Sequence, residues 1–479
     1  MDGLNCHMLL LRKLTIIIVM CVLWAERSPA NGSLLNYTHI FFKWDQFPNS
    51  SRYVININNN NGEDMSFNTS ENSIIIEDFI EWGSSYNWNV CSYSIDFEEL
   101  YCSENYSLLT TPLPIYFPDT INLLESNQTF FEDGIIMMDF ESLKFSVALN
   151  RSGLPILYID RSDFEEKFTF TEFLQNGNIL GYESGKGYEI DLNGNIIFQT
   201  PSSLNSLHHH FTKTPKDTYM LISAEIRDEY CPSECNPNLP NFIPWQGDRF
   251  REFDKYGSEI WSWSTFDHYD LTEYNPYYVE IYSGFYEMDW THSNSVFYDS
   301  NTESVIISVR NLSRITKINY NTNEIIWNLG QNNFMNEIDF DQNLNFSQQH
   351  SVQVLDNGNL LFFDNHRYLD PELSRCVEVA YDEEGGLAEI IWEHELPAEL
   401  FTGSRGECDR LQNGNTFITV GRTGNSLEVT PNNEIVWHME VKNSGGSVTM
   451  YRSEVAPSLY PVAFSVSIDE YIGDEVNAN

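Results

Sequence analysis

The sequence is short of basic residues and of long hydrophobic runs. Its 479 residues include 26 lysines and arginines against 70 aspartates and glutamates, for a formal net charge of −44. Such an excess of negative charge argues against nucleic acid or an anionic membrane surface as a partner. It also repels small anions, although salt screens that repulsion beyond about 8–10 Å. An anionic substrate would therefore need a local cluster of cationic or hydrogen-bond-donating groups.

One hydrophobic run, near the N terminus, is long enough to concern a membrane. Residues 14–24, "LTIIIVMCVLW", follow Arg12 and Lys13 and precede small and polar residues. The run is short for a bilayer-spanning helix, and its flanks are typical of a secretory signal peptide. We predict a signal peptide over residues 1–30, with a short membrane anchor as the alternative. The chain is then expected to be secreted or, in a bacterium, periplasmic, with no stable membrane partner.

Cysteines are few, and their number agrees with export. Of the eight, Cys6 and Cys21 fall in the predicted leader. The other six are near neighbours along the chain: Cys91 and Cys102, Cys231 and Cys235, Cys376 and Cys408. An even number in an exported chain predicts disulfides without fixing their connectivity. Zinc is the alternative for Cys231 and Cys235, but no second close pair completes a four-ligand site. Asn-x-Ser/Thr triplets such as Asn36 would be glycosylated in a eukaryotic secretory route.

Residues 35–110 predict a small antiparallel β-sandwich, because short alternating stretches are separated by turn residues. The segments "FKWDQFPNSSRYVININ" and "YNWNVCSYS" resemble a fibronectin type III module. The resemblance implies that Trp44 packs in the core and that Tyr86, Trp88 and Val90 lie on one strand. It implies nothing about catalysis.

A repeat with β-hairpin chemistry occupies residues 135–465. Asn-Gly turns join alternating strands in "FLQNGNILGYESGKGYEIDLNGNIIFQ", and the same pattern returns in "DRLQNGNTFITVGRTGNSLEVTPNNEIVWHME". Units of about 40 to 60 residues with four short strands are typical of a β-propeller. Five units are legible, and a sixth can be closed from the first and last strands. The prediction is an all-β chain: a small sandwich, a six-bladed propeller, and an acidic tail over residues 466–479. A tandem array of two-sheet sandwiches is the alternative.

Histidines recur at one position of this repeat. His350 lies seven residues before the hairpin residue Asn357, and His210 lies seven before Asp217. His292 begins the corresponding strand in "HSNSVFYD". Innermost propeller strands run along a central channel, so equivalent positions form a ring around its mouth. The three histidines, with His208 and His209 adjoining, are predicted to share a pocket. Each alone could be an ordinary polar turn residue.

Arg310 and Asn294 distinguish between the chemistries that three histidines allow. Histidines can bind zinc, or act as nucleophile, acid and base. A zinc site has no use for a fixed cation, whereas arginine offers a planar fork of donors for sulfate or phosphate oxygens. Arg310 could instead be a surface strand residue, and Asn294 a turn former.

At these residues the chain resembles the arylsulfate sulfotransferases, propeller enzymes that move a sulfuryl group between phenols without a nucleotide donor. The resemblance covers roughly residues 135–461 and rests on "DWTHSNSVFYD…IISVRN", "QQHSVQVLDNGNLLFFDN", "GDRFREFDKYGSEIWSW" and "YRSEVAPSLYP". It implies that His350 becomes sulfated and that His292, Asn294 and Arg310 assist. The remaining family histidine lies in a His-His motif usually followed by an acidic residue, where this chain has Phe211. The hairpin register favours His210 for that role, with His209 as the alternative.

The resemblance implies a two-step, ping-pong transfer through a sulfohistidine, with a phenolic sulfate ester as donor and a phenol as acceptor. It implies no metal and no cofactor. Aromatic residues before His292 are candidates for holding the aryl groups, although packing within a blade insert is the simpler interpretation: Tyr277, Tyr278, Tyr282, Phe285 and Tyr286. A propeller binding protein without turnover and an aryl-sulfate hydrolase are the alternative functions. The sequence does not indicate an oligomeric state.

Overall fold

The computed structural model divides the chain into two compact units. One comprises residues 1–113 and 462–479, and the other residues 114–461. The structure describes residues 27–159, 168–231, 240–278, 287–330, 340, 344–461, 468–472 and 475–478. Most of the predicted signal peptide lies outside these residues. Strands make up nearly all the regular structure, which confirms the prediction of an all-β fold.

The N-terminal unit is built from two sheets whose strands alternate buried and outward-facing residues. Its strands are β1 (Ser33–Leu35), β2 (Ile40–Lys43), β3 (Arg52–Asn59), β4 (Asp64–Thr69), β5 (Ser73–Ile76), β6 (Ser85–Tyr93), β7 (Glu99–Cys102) and β8 (Tyr106–Thr110). The larger sheet has the order β1-β8-β6-β3-β4, with β7 beside β6, and the smaller pairs β2 with β5. Trp88 on β6 packs edge-on against Phe42 on β2, with ring centroids 5.1 Å apart. Trp44 is also buried. The likeness to fibronectin type III stays a prediction.

The second unit begins with β9 (Thr120–Ser126) and continues as successive four-stranded antiparallel sheets. The first three contain β10 (Ile135–Phe140), β11 (Phe145–Asn150), β12 (Pro155–Ile159); β13 (Thr169–Phe173), β14 (Ile179–Glu183), β15 (Lys186–Ile190), β16 (Ile196–Gln199); and β17 (Leu207–Lys213), β18 (Tyr219–Tyr230), β19 (Phe242–Phe253), β20 (Glu259–Ser264), with β21 (Met288–Asp289) beside β19.

The next three sheets contain β22 (Ser293–Asp299), β23 (Ser304–Val309), β24 (Arg314–Asn319), β25 (Ile325–Gly330); β26 (His350–Val354), β27 (Leu360–Asp364), β28 (Arg375–Asp382), β29 (Leu387–Glu395); and β30 (Glu407–Arg410), β31 (Thr416–Val420), β32 (Asn425–Val429), β33 (Ile435–Asn443). Short β34 (Gly446–Ser447) and β9 both pair with β33. Beyond this unit, β36 (Ile468–Ile472) pairs with β37 (Glu475–Ala478).

The first sheet is completed by a strand from the far end of the unit. This strand, β35 (Ser453–Ala456), pairs antiparallel with β10, placing Ala456 opposite Ile135. The innermost strands contact one another in the order β35, β13, β17, β22, β26 and β30, and β35 returns to contact β31 of the sixth sheet. This ring of radially arranged sheets is a β-propeller, and pairing with β35 covers the edge of β10 that would otherwise be bare.

Apolar clusters and disulfides hold neighbouring elements together. One cluster joins the third and fourth sheets through Trp263, Trp290 and Ile307, all nearly inaccessible to solvent. Cys376 on β28 is bonded to Cys408 on β30, which links the fifth and sixth sheets, and Cys91 is bonded to Cys102 in the N-terminal unit. Cys231 is also disulfide-bonded, whereas Cys235 lies outside the described residues.

Helices are short. Among the described residues they include the 3₁₀ turns Glu141–Leu143 and Ala398–Leu400 and one α-helical turn, Thr265–His268. In this part of the chain, no helix has the length and apolar character needed to cross a bilayer.

Candidate active site

Three innermost strands depart from regular pairing where the histidines lie. Register shifts fall between Leu207 and Phe211 on β17, Ser293 and Ser295 on β22, and His350 and Gln353 on β26. His209 and His292 have φ angles of 61° and 49°, in the left-handed region that residues other than glycine seldom adopt. Because a bulge re-aims the neighbouring side chains, these strands can direct their rings toward one place.

His209, His292 and His350 line one cavity of about 340 Å³. The ring centroids of His209 and His292 are 4.7 Å apart. Tyr451 lies 5.6 Å from His209 and 6.3 Å from His350, again between ring centroids. The other lining residues are Glu141, Tyr182, Arg310, Arg367, Ser404 and Arg405. The structure thus brings together three of the predicted site residues, His350, His292 and Arg310, with one of the two alternative histidines.

That histidine is His209, not the His210 that the hairpin register favoured. His210 lines a second cavity of about 310 Å³, to which all six innermost strands contribute. Its Nδ1 accepts the backbone N–H of Val296 at 3.0 Å. Counting back from the hairpin fails because β17 advances four residues from Leu207 to Phe211 while its partner advances two, whereas β26 advances three residues from His350 to Gln353 against two.

Hydrogen bonds fix the tautomer of His350. Its Nδ1 lies 2.6 Å from Oδ1 of Asn365 and 3.1 Å from the carbonyl oxygen of Gln348. The amide nitrogen of Asn365 donates to the carbonyl oxygens of Thr402 and Arg405, so the amide oxygen must face His350. Since both neighbours of Nδ1 are acceptors, Nδ1 carries the proton and Nε2 keeps its lone pair. Nε2 accepts the backbone N–H of Arg405 over a long 3.2 Å contact.

The cavity keeps the imidazoles of His350 and His209 neutral. Burial, followed by the nearby Arg310, lowers the pKa of His350 well below its ordinary value. Burial also lowers the pKa of His209, helped by His292 and His208. A neutral imidazole with a free lone pair is the form of histidine that attacks an electrophile.

His292 is oriented by a carboxylate. Its Nδ1 lies 2.6 Å from Oδ2 of Asp289. Burial would raise the pKa of Asp289, but the attraction of His292 and Arg310 lowers it below its usual value. Asp289 therefore stays ionised and accepts the Nδ1 proton of His292, which leaves Nε2 of that ring as its other functional atom.

Although the ionised Asp289 attracts it from farther away, Arg310 forms no ion pair within 4.0 Å of a carboxylate among the described residues. Its side chain is 5% exposed, and its Nη1 donates to the hydroxyl of Tyr278 at 2.9 Å and to Oδ1 of Asn311 at 2.8 Å. Its Nε is buried without a partner in the described part of the chain. Tyr278, one of the aromatic candidates, thus steadies the guanidinium instead of offering a free ring; Tyr282, Phe285 and Tyr286 lie outside the described residues.

Asn294 is not among the residues that line the cavity. It is fully buried, and its Nδ2 donates to the carbonyl oxygen of Gln349 at 2.7 Å. Its own carbonyl accepts Nη2 of Arg452. The resemblance placed Asn294 at the transferred group; the structure places it where it holds the backbone just before His350.

Several cavity residues escaped the sequence analysis. Arg405 pairs with Glu141, with nitrogen–oxygen distances of 2.5 and 3.0 Å. Arg367 lies 4.7 Å from the ring of Tyr368 and has no ion pair among the described residues. The sequence offered one indication of Arg405. Gly406 lies seven residues before the hairpin residue Asn413, which is the position that His350 has in the fifth unit, and Arg405 directly precedes it. The partner Glu141 is distant in sequence and carries no local signal.

The histidines are not grouped as a metal site. In the described part of the chain, the one set of three potential ligand atoms within 4.8 Å of one another belongs to Cys91, Glu99 and Cys102. Both cysteines of that set are bonded to each other.

Comparison with known proteins gives a family match over most of the second unit. Solved structures that resemble the chain include a protein of unknown function from Bacteroides caccae, with a TM-score of 0.41, 12% identity, and coverage of 67% of this chain and 98% of that chain. A catalytically inactive variant of virginiamycin B lyase from Staphylococcus aureus, with quinupristin, has a TM-score of 0.38 and 12% identity, and the match covers 68% of this chain and 89% of that chain. The Cps50 (Swd1) β-propeller domain of Myceliophteria thermophila has a TM-score of 0.32 and 10% identity, and the match covers 74% of this chain and 98% of that chain. Likenesses this distant carry no functional argument.

No curated protein matches the chain in sequence. The model of the arylsulfotransferase (ASST) family matches residues 115–457, and the chain belongs to that family.

Proposed function

We propose that this protein moves a sulfuryl group from a phenolic sulfate ester to an acceptor phenol through a covalent sulfohistidine on His350. The observation that carries the proposal is the environment of that ring: Nδ1–H is held by two acceptors, Nε2 makes a long 3.2 Å contact with the backbone N–H of Arg405, and the ring lines a cavity that also contains Arg310. The family membership supports aryl sulfates and phenols as substrates.

In the first step Nε2 of His350 attacks sulfur in line with the bond to the aryl oxygen. The N–S bond forms as the S–O bond breaks, and the electron pair of that bond stays on the leaving oxygen. A phenol has a pKa near 10, so protonation of this oxygen by a neighbouring histidine helps it depart. The guanidinium of Arg310 offers donors to the sulfuryl oxygens as they gather negative charge.

In the second step an acceptor phenol takes the sulfuryl group from His350. The histidine that gave its proton to the donor now accepts the proton of the acceptor, and the lone pair on Nε2 of His350 is restored. Donor and acceptor use the cavity in turn, which makes the reaction ping-pong. No step requires a metal or a nucleotide.

Two arginines in the cavity offset the repulsion that the acidic chain exerts on an anionic ester. Arg310 and Arg367 both line the cavity, and neither has a carboxylate partner among the described residues, whereas Arg405 is paired with Glu141. An ester within a few ångströms of these cations experiences their field more strongly than the screened surface charge.

Release of nitrophenol from its sulfate ester, with and without added phenol, tests the proposal. Acceptor-dependent release and a mass increase of one sulfuryl group on the enzyme are expected. His350→Ala should abolish both, whereas His394→Ala, on the outermost strand β29, should retain them. If nitrophenol is released at the same rate with and without added phenol, the protein is a hydrolase. If no nitrophenol is released, it is a binding protein. Undiminished turnover by His350→Ala would reject the sulfohistidine.

Export follows from the predicted leader and stays part of the proposal. The two described disulfides agree with an oxidising compartment.

A further inference from the structure

His208, which the proposed reaction leaves unused, lies between a buried carboxylate and the cavity histidine. Its Nε2 is 3.1 Å from Oδ1 of Asp248. Its Nδ1 is 2.5 Å from Nδ1 of His209. The N–H of His208 is not well aligned with Asp248, yet neither atom has a better-placed partner among the described residues. The three side chains form a chain of contacts that ends at the cavity.

Asp248 is held as an ionised group. It is fully buried, and its Oδ2 accepts the hydroxyl of Thr291 and the backbone N–H of Ser293, both at 2.6 Å. Burial alone would raise the pKa of Asp248, but the contact with His208 and these two donors lower it. A buried carboxylate needs a counter-charge or further donors, and His208 is the imidazole beside it.

The contact between His208 and His209 requires a shared proton. Two ring nitrogens 2.5 Å apart repel each other if both present lone pairs, or if both carry hydrogens. One of them must donate while the other accepts. Since Nδ1 of His209 faces His208, its Nε2 is the atom left for a substrate.

We propose that Asp248 and His208 form a proton relay that makes His209 the acid and base of the reaction. In the charged state, His208 is an imidazolium beside Asp248, its Nδ1–H points to Nδ1 of His209, and His209 carries its proton on Nε2. When the aryl oxygen leaves, it takes that Nε2 proton, and the Nδ1 proton of His208 passes to Nδ1 of His209. The acceptor phenol reverses both transfers. Asp248 remains ionised throughout.

Such a relay keeps a full positive charge away from His209. That ring is buried beside His292, His350 and Arg310, so a cation there would be both desolvated and repelled. Passing the proton through the ring leaves His209 neutral before and after each step. Before the transfer the positive charge is on His208, whose side chain is 20% exposed and lines a neighbouring cavity of about 710 Å³, and it leaves that ring together with the proton. Asp248 and His208 are therefore positioning residues, because neither touches the reacting atoms.

The relay rests on the proposed sulfuryl transfer, and leaving-group dependence tests it separately. The measurement is the rate of phenol release in the first half-reaction for two donors, nitrophenyl sulfate and phenyl sulfate. Nitrophenolate leaves readily without a proton, whereas phenolate needs one. In the His208→Gln variant the amide side chain can still hydrogen-bond to Nδ1 of His209, but it cannot transfer a proton to that atom. We expect it to lose roughly a hundredfold with phenyl sulfate, within the range typical of general acid catalysis, and less than about threefold with nitrophenyl sulfate.

Asp248→Asn should show the same selective loss, and His394→Gln should show none. An equal loss with both donors, or no loss with phenyl sulfate, would overturn the relay while nitrophenyl sulfate continues to report sulfuryl transfer. Absence of transfer from nitrophenyl sulfate by the unaltered enzyme would instead overturn the proposed function, and the relay with it.

Discussion

Asn365→Ala should slow the proposed sulfation of His350 by about fivefold without abolishing it. The substitution removes one of the two acceptors of the Nδ1 proton, the amide oxygen at 2.6 Å, and leaves the carbonyl of Gln348 at 3.1 Å. A neutral hydrogen bond contributes about 1 kcal/mol net, and about 1.4 kcal/mol corresponds to a factor of ten. The fraction of His350 with a free Nε2 lone pair should fall accordingly.

The assay is a rapid-quench measurement of the phenol released in the first turnover. Asn415→Ala is a matched control, because Asn415 is also buried and donates to a backbone carbonyl, that of Phe130 at 2.8 Å, and to a carboxylate. Both variants should lose about 1–3 kcal/mol of unfolding free energy in urea, as orphaned buried acceptors do. A thousandfold loss of sulfation in folded Asn365→Ala, or no loss, would refute the assignment of the tautomer.

Arg310→Lys keeps the charge but loses the planar fork, so kcat/KM should fall about a hundredfold in steady-state assays; an unchanged value would contradict its role. Burial raises the pKa of Glu407 to about 8 and of Asp409 to about 6, so the folded protein holds protons that the unfolded chain releases, and stability is lost as pH rises toward 8. Glu407→Gln should flatten that decline in urea titrations, and an equally steep decline would contradict it. Replacing Cys376 and Cys408 by alanine opens a link across 32 residues and should cost about 3–4 kcal/mol of unfolding free energy; a loss below about 1 kcal/mol would contradict a stabilising link.

The sequence alone predicted those features that depend on a turn motif repeated along the chain. Asn-Gly hairpins such as the one at Asn357 mark the repeating strands, and a common offset from the hairpin identifies His350. The same offset fails at His210, because the bulge of β17 has two extra residues where that of β26 has one, and the size of a bulge cannot be counted from the hairpin. Strand pairing at a bulge depends on the neighbouring strand and on the left-handed backbone of His209.

Long-range partners could not be predicted from one sequence. Asn365 reaches His350 across 15 residues, Asp248 reaches His208 across 40, and Glu141 reaches Arg405 across 264. Each partner comes from a separate strand or loop, and none is distinguished by its neighbours along the chain. Asn294 shows the reverse case, since its motif was recognisable but its side chain turns to the backbone of Gln349 instead of the cavity.

The strand that completes the first sheet is the last described strand of the second unit to be synthesised. During synthesis β10 leaves the ribosome more than 300 residues before β35, which covers its inner edge. Tyr451, which packs against two of the cavity histidines, emerges at the same late stage. A nascent chain therefore has neither a closed ring nor a finished cavity, so the proposed sulfuryl transfer would begin only once translation of the unit has ended. A premature stop shortly before residue 450 would expose a bare strand edge, so such a fragment is expected to aggregate instead of retaining partial activity.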